Sequence, residues 1–214
     1  DGSVYATPYT SALGWSPNRT ETIQSGTTAA QVQLLFDGFK FVNVWRDDEG
    51  LRARVAGDED DEIAALNSDG TTVPNFAAAS DSMGNVVVVF FQEKSPTPTC
   101  TAATSSRPET TNCQFRLFAS TRNAQGIWTG PTQIDEELTA ETTTFYQDPE
   151  VVGGLESPNA SIVHTGASRF LVSYGATDNA NAKGTLRVRG YTAGSGWDPT
   201  SREIETGSLK GTDT

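Results

Sequence analysis

The sequence predicts an all-β protein built from a repeated antiparallel unit. Three observations predict it. The 214 residues carry 20 Gly, 10 Pro and a single Met with only 36% hydrophobic residues, a balance that suits many short strands and turns rather than helices. Short apolar runs are joined by Gly-containing turns, which is a direct hairpin signal. The same strand–turn–strand order then recurs along the chain, as it does in stacked repeat architectures.

Taken in chain order, the first element is an outer pair alone. Val4-Tyr5-Ala6-Thr7-Pro8-Tyr9 precedes Gly14-Trp15 and a strand ending at Ile23. A complete unit follows. Its inner hairpin is Gln33-Leu34-Leu35-Phe36, an Asp37-Gly38 turn, and Phe39 to Trp45, and its outer strand is Leu51-Arg52-Ala53-Arg54-Val55. The next inner hairpin is Phe76-Ala77-Ala78-Ala79, the turn Ser80-Asp81-Ser82-Met83-Gly84, and Asn85 to Phe91. Its near-continuous apolar run from Val86 predicts a strand buried on both faces. Phe115-Arg116-Leu117-Phe118-Ala119 is read as its outer strand, followed by Gly126-Ile127-Trp128 and a strand ending near Ile134. The last unit has Ala160-Ser161-Ile162-Val163, the turn His164 to Ser168, Arg169 to Tyr174, then Leu186-Arg187-Val188-Arg189-Gly190-Tyr191, Gly194-Ser195-Gly196-Trp197 and a strand ending near Ile204. The alternating outer strands are read as half-exposed, with their arginines in solvent and paired across strands to Asp or Glu.

The interval from Gly38 to Gly84 fits one four-stranded propeller blade. The longer interval from Gly84 to Gly166 implies insertions near 95–113 and 135–157. Residues 1–214 therefore read as a single repeat domain of about three and a half blades of a β-propeller, with four outer hairpins and three inner ones. A β-sandwich is the rival architecture. The incomplete count predicts a piece of a longer propeller, or one whose edges are covered by another chain, because an exposed inner strand is prone to aggregate.

The unit resembles the propeller repeats of secreted and surface bacterial proteins and, more distantly, sialidase-type BNR blades. The matching parts are Gly84 to Phe91, the Leu-Arg-Val-Arg-x-Tyr strand at Leu186, and Gly194 to Trp197. Ser80-Asp81-Ser82-Met83-Gly84 departs from the Asp-box order by placing Asp one position early, and the later Trp is missing. The sialidase likeness implies an arginine cluster, a Tyr nucleophile with a Glu partner and an acidic proton donor. Arg52, Arg54, Arg116, Arg187 and Arg189, with Tyr174 and Tyr191, are the residues such a site would draw on. None of them matches a catalytic motif closely enough to carry a role. His164 alone would have to serve a triad or a His-based metal site, and it sits in an expected turn without a Gly-x-Ser-x-Gly partner. Trp15, Trp128 and Trp197 recur at one place in the unit, as packing residues between neighbouring blades do.

Twenty-seven acidic against 15 basic side chains give a net charge of −12, which repels nucleic acid and anionic membranes. No run of apolar residues is long enough to span a bilayer. Cys100 and Cys113 are expected to form a disulfide around a Thr/Ser/Pro-rich loop, worth about 3 kcal/mol. That places the chain in an oxidising compartment: secreted, on a cell surface, or periplasmic, with a bacterial source suspected. Opening on Asp1 without a signal peptide fits a processed export product or a trimmed chain. Asn18-Arg19-Thr20 and Asn159-Ala160-Ser161 match the short glycosylation sequon.

No cofactor is expected, with Ca²⁺ the one candidate. Asp58, Asp60 and Asp61 are the oxygen ligands it would use, and Asp47-Asp48-Glu49-Gly50 is a second acidic stretch. The functional expectation is a non-catalytic extracellular or cell-surface module for binding or assembly, contacting a protein or glycan through its inserted loops. The alternatives are a sialidase-like glycoside hydrolase, and a subunit recruited into a larger extracellular assembly through open blade edges, by self-assembly or by a second chain.

Overall fold

Strands joined by turns make up most of the described residues, and no α-helix occurs among them. The computed structural model describes residues 3–7, 9–12, 14–16, 18, 20–25, 31–47, 50–56, 64–67, 73, 76–93, 113–135, 143–145, 160–178 and 183–208. The first unit holds β1 (Ser3–Ala6), β2 (Tyr9–Thr10), β3 (Gly14–Trp15) and β4 (Glu21–Ser25), with β1 on β4 and β2 on β3. The second is a meander of β5 (Gln31–Phe36), β6 (Phe41–Asp47), β7 (Gly50–Val55) and β8 (Ala64–Ala65). The third runs β9 (Phe76–Ser80), β10 (Val86–Glu93), β11 (Cys113–Arg122) and β12 (Trp128–Gln133), and β13 (Thr143–Phe145) also pairs with β11. The fourth runs β14 (Ala160–Gly166), β15 (Arg169–Asp178), β16 (Lys183–Thr192) and β17 (Gly196–Trp197), with β18 (Arg202–Ser208) also on β16. Every pairing is antiparallel, and no sheet closes on itself among the described residues.

Register makes the units equivalent. Trp45 pairs with Arg52, Phe90 with Phe118, and Tyr174 with Arg187. Leu51, Leu117 and Leu186 therefore occupy one position, and Arg54, Ser120 and Arg189 another. This corrects the reading of Phe115-Arg116 as the counterpart of Leu51-Arg52. A two-residue slip keeps every side chain on its own face, so an alternating pattern alone does not reveal it. The outer hairpins agree as well: Tyr9 pairs with Trp15, Arg122 with Trp128 and Tyr191 with Trp197, at the same spacing each time.

The sheets stack on one another in chain order. Side chains alternate across a strand, and β10 is apolar on both sides. Val86, Val88 and Phe90 join a buried cluster with Val42, Val44, Leu51, Ala53, Val55 and Leu66 of the second unit. Val87, Val89 and Phe91 join another, with Leu117, Ala119 and Ile134 of their own unit and Phe170, Val172 and Tyr174 of the fourth. A smaller cluster of Val4, Ile23 and Trp45 seats the first unit on the second. The expectation for Val86 to Phe91 is met: all six are buried. Each such side chain contributes about 1.5–3 kcal/mol when fully removed from water.

Two expected details change. His164 lies in β14 rather than in a turn. The hairpin reverses at Ala167 and Ser168, both at positive φ, as a tight turn matching the right-handed strand twist requires. The stretch near 135–157 contains β13, which extends the line of β12 along β11 at Cys113 to Phe115. Most of both inserted stretches, Asp58, Asp60, Asp61 and Cys100 lie outside the described residues, and so does the Cys100–Cys113 pairing. Among the described residues no helix is long and apolar enough to cross a membrane.

Phe36 and Phe90 lie on inner strands and on the same side of their sheets, but Phe90 is buried between units and Phe36 is 53% exposed. Phe90→Ala is expected to cost about 3–5 kcal/mol, the range for a core aromatic truncation. Phe36→Ala is expected to cost under about 1 kcal/mol, both read from urea unfolding midpoints.

Candidate functional site

The polar groups concentrate where one unit meets the next. Each fourth strand has an apolar residue at an irregular place in its ladder: Ile23 lies at the register shift of β4, and Leu66 and Ile134 directly follow β8 and β12. The next unit's third strand supplies a donor to each. Arg54 Nη1 donates to the Ile23 carbonyl at 2.9 Å, Ser120 Oγ to that of Leu66 at 2.6 Å, and Arg189 Nη1 to that of Ile134. Arg54, Ser120 and Arg189 are equivalent by register, so one joint is built three times with two chemistries. A buried carbonyl left without a donor is costly. The rest of the Arg189 guanidinium is held by the Asp198 and Pro199 carbonyls, at 2.9 and 3.3 Å.

The other arginines are similarly engaged: the expected pairing with Asp or Glu is present at Arg52, Arg116 and Arg187, but Arg116 and Arg187 are buried rather than solvated. Arg52 lies 3.4 Å from Asp47. Arg116 and Asp135 form a buried pair at 3.5 Å. Arg187 donates to Thr185 and Ser201. Arg122 reaches Asp37 of the second unit at 2.8 Å, with both side chains almost wholly buried. These guanidiniums serve joints between different pairs of units or tie strands within one. Tyr174 is buried in the core between the third and fourth units. Tyr191 stacks tilted between Phe170 and Trp197, at 6.2 and 4.9 Å.

At the inner turns, carboxylates organise backbone. Asp37 accepts from the Phe39 and Lys40 amides, and its carbonyl accepts from the Gly84 amide of the next turn at 2.8 Å. The two turns touch so closely that a Cβ at Gly38, where φ is +97°, would stand 2.2 Å from the Ser82 carbonyl oxygen. Asp81 accepts from the Met83 and Asn85 amides and from Asn85 Nδ2. Burial pushes its carboxyl pKa up, but the hydrogen bonds from Asn85, Met83 and Ser168 outweigh it and hold the pKa below its ordinary value. At Asp135 burial prevails over Arg116 and the Leu117 amide, and the carboxyl is raised. Gln31 and Gln33 add a contact that was not anticipated. Their amides bond the Phe76 and Ala78 backbone in both directions, at 2.8–3.4 Å, covering the edge of β9. The alternation Gln31-Val32-Gln33 was the available signal.

The remaining candidates divide. Trp128 and Trp197 pack against the two large clusters, whereas Trp15 is 69% exposed. His164 lies against Phe170 with ring centroids 5.2 Å apart, and its Nε2 is buried without a hydrogen-bond partner. Asp47, from the second acidic stretch, accepts from Trp45 Nε1 at 3.0 Å and faces Arg52. Among the described residues no group of three or more His, Cys, Asp or Glu is placed to hold a metal ion.

Some of the exposed apolar side chains lie on the open face of the fourth unit. Ile23, Leu66 and Ile134 are each 1% exposed beneath a following unit, but their counterpart Ile204 is 61% exposed. Leu51 and Leu117 are fully buried, but Leu186 is 40% exposed. Val163 lies on the same open face of the fourth unit and is exposed too. Comparison with family models, with curated proteins and with solved structures gives no match.

A carboxyl whose pKa is lowered by folding adds stability above its unfolded value, and that stability is lost as pH falls through the folded value. The wild type is therefore expected to lose stability more steeply than Asp81→Asn below about pH 4, the ordinary Asp range. Urea unfolding of both proteins across that range checks it; parallel pH profiles would contradict it.

Proposed function

We propose that this chain is a non-catalytic stack of β-propeller-type blades, acting outside the cell as a binding and assembly module whose end face takes a further blade of the same kind. One observation carries the reading. The face covered by a neighbour in the first three units, through Ile23, Leu66 and Ile134, stands open in the fourth at Ile204, Leu186 and Val163. Apolar side chains exposed at positions buried in the equivalent units, as Ile204 and Leu186 are, favour burial against a partner. The partner of matching chemistry is another antiparallel sheet that presents a donor to the Ile204 carbonyl and a tryptophan from its outer hairpin.

A second copy offers such a surface in its first unit, where Tyr5 and Trp15 are exposed. Joining the fourth unit of one copy to the first unit of another is a head-to-tail contact, which forms rings or open arrays according to its rotation. The acidic charge keeps such an array soluble and supports neither a nucleic-acid nor a membrane-surface role. The arginines that a sialidase-like reading would need are tied to carbonyls and carboxylates of the joints, which supports scaffold over catalysis. The two cysteines in a Thr/Ser-rich segment support an oxidising, extracellular setting.

Sedimentation velocity over a concentration series tests the reading. The wild type is expected to gain mass with concentration, and Ile204→Lys to weaken association at least tenfold. A wild type that stays monomeric throughout, or an Ile204→Lys variant that associates equally well, would contradict it. So would hydrolysis of a fluorogenic sialoside by the purified chain.

A further inference from the structure

We propose that the first unit is a receptor for an inner β-hairpin, which seats beside β1 and covers an apolar stripe on the second unit. The inference rests on the blade reading above and concerns a different surface from Ile204. In the second, third and fourth units the third strand is paired on its inner side, β7 by β6, β11 by β10 and β16 by β15. The equivalent strand of the first unit, β1, pairs among the described residues only with β4. The equivalence is set by a shared irregularity. The register of β1 on β4 shifts between Val4 and Tyr5 and leaves Ile23 unpaired, and that of β16 on β18 shifts between Leu186 and Arg187 and leaves Ile204 unpaired. Val4 therefore stands for Leu186, and Tyr5 for Arg187.

The second unit records the same gap from the other side. Its face towards the first unit carries Val32, Leu34, Phe36, Phe41, Asn43 and Trp45. Val4 and Ile23 bury Trp45 against the outer half of this face, but Val32, Leu34, Phe36 and Phe41 are each more than half exposed. Their register counterparts in the third unit include Phe76, Ala78 and Val86, all buried by the second unit. In the fourth, the counterpart Phe170 is buried by the third. The open stripe is thus the inner half of an interface whose outer half is already made, at positions that are covered wherever an inner hairpin precedes them.

That continuity specifies the occupant. It is a pair of antiparallel strands joined by a tight turn, the second of which adds by backbone hydrogen bonds to the edge of β1 that no described strand pairs. Its register follows from the repeat. The aromatic that pairs with the third strand in the other units (Trp45, Phe90, Tyr174) comes to stand opposite Tyr5. Alternate small and branched apolar residues, as at Ala77, Ala79, Val87 and Val89, then face Val32, Leu34, Phe36 and Phe41. Strand addition also removes an open edge, which is an aggregation hazard while it stays bare.

The probe is a fluorescein-labelled synthetic peptide of residues 160–175. It keeps the turn, Val163 and Leu171 on one face and Tyr174 at the aromatic position, and it avoids the aggregation-prone valine run of β10. Titrated with the intact chain, it is expected to bind saturably at one site. Leu34→Asp, on the exposed stripe, is expected to weaken binding at least tenfold, and Ile204→Lys to leave it unchanged. In the wild type, peptide is expected to slow hydrogen exchange at the one of the adjacent Tyr5 and Ala6 amides that points away from β4. Absence of saturable binding, equal binding to Leu34→Asp, or unaltered exchange in β1 would overturn the proposal. Loss of self-association on Leu34→Asp would also overturn it, by making a second copy the occupant. A failed Ile204→Lys sedimentation result beside intact peptide binding would instead remove the end-face reading and leave this one standing.

Discussion

Everything in this structure depends on the two-sided burial of β10. A four-stranded antiparallel sheet of this size has two faces and no means of covering either, so it is stable only between neighbours. The third unit meets that constraint by making both faces of its second strand apolar, with even-numbered valines turned to the second unit and odd-numbered ones to the fourth. The polar joints are subordinate to that packing. The carbonyls of Ile23, Leu66 and Ile134 are buried because the sheets stack, and Arg54, Ser120 and Arg189 supply the donors that burial then demands. Serine at one joint and arginine at two shows that the requirement is for a donor at a position and not for a charge.

The same constraint explains where the molecule is left open. Each unit hides the apolar face of the one before it, so the last unit shows Ile204 and Leu186, while the second shows the stripe from Val32 to Phe41 because the first unit lacks an inner hairpin among the described residues. Proposed function and stability therefore share one physical origin. The surface proposed for a partner is of the same kind as the surface that holds the units together.

Strand and hairpin positions were legible because they rest on local signals. The turns after Phe36 and around Met83, the valine run of β10 and the Gly-Trp hairpins appear where alternation and turn residues place them. The joints were not legible in the same way. A period of two states which face a side chain occupies but not which carbonyl lies across from it, so Arg54 and Arg189 read as solvated when they are bonded to the preceding unit. The two-residue offset of Phe115-Arg116 against Leu117-Phe118 escaped for the same reason, since both registers bury the same face. The pattern also carried less information where hydroxyls stand in for arginine, as at Ser120, and where amides bond a neighbour's backbone, as at Gln31 and Gln33. Ile23, Leu66, Ile134 and Ile204 share a place in the repeat, and their unequal exposure, which marks the open end, exists only in three dimensions.

Methyl-resolved nuclear Overhauser spectroscopy on the valines of β10 addresses the alternating stack most directly. The account expects Val86 and Val88 to show contacts to methyls of the second unit such as Val42, Val44 and Leu51, and Val87 and Val89 to show contacts to Phe170 and Val172 of the fourth. Contacts from both sets of valines to a single facing sheet would contradict it.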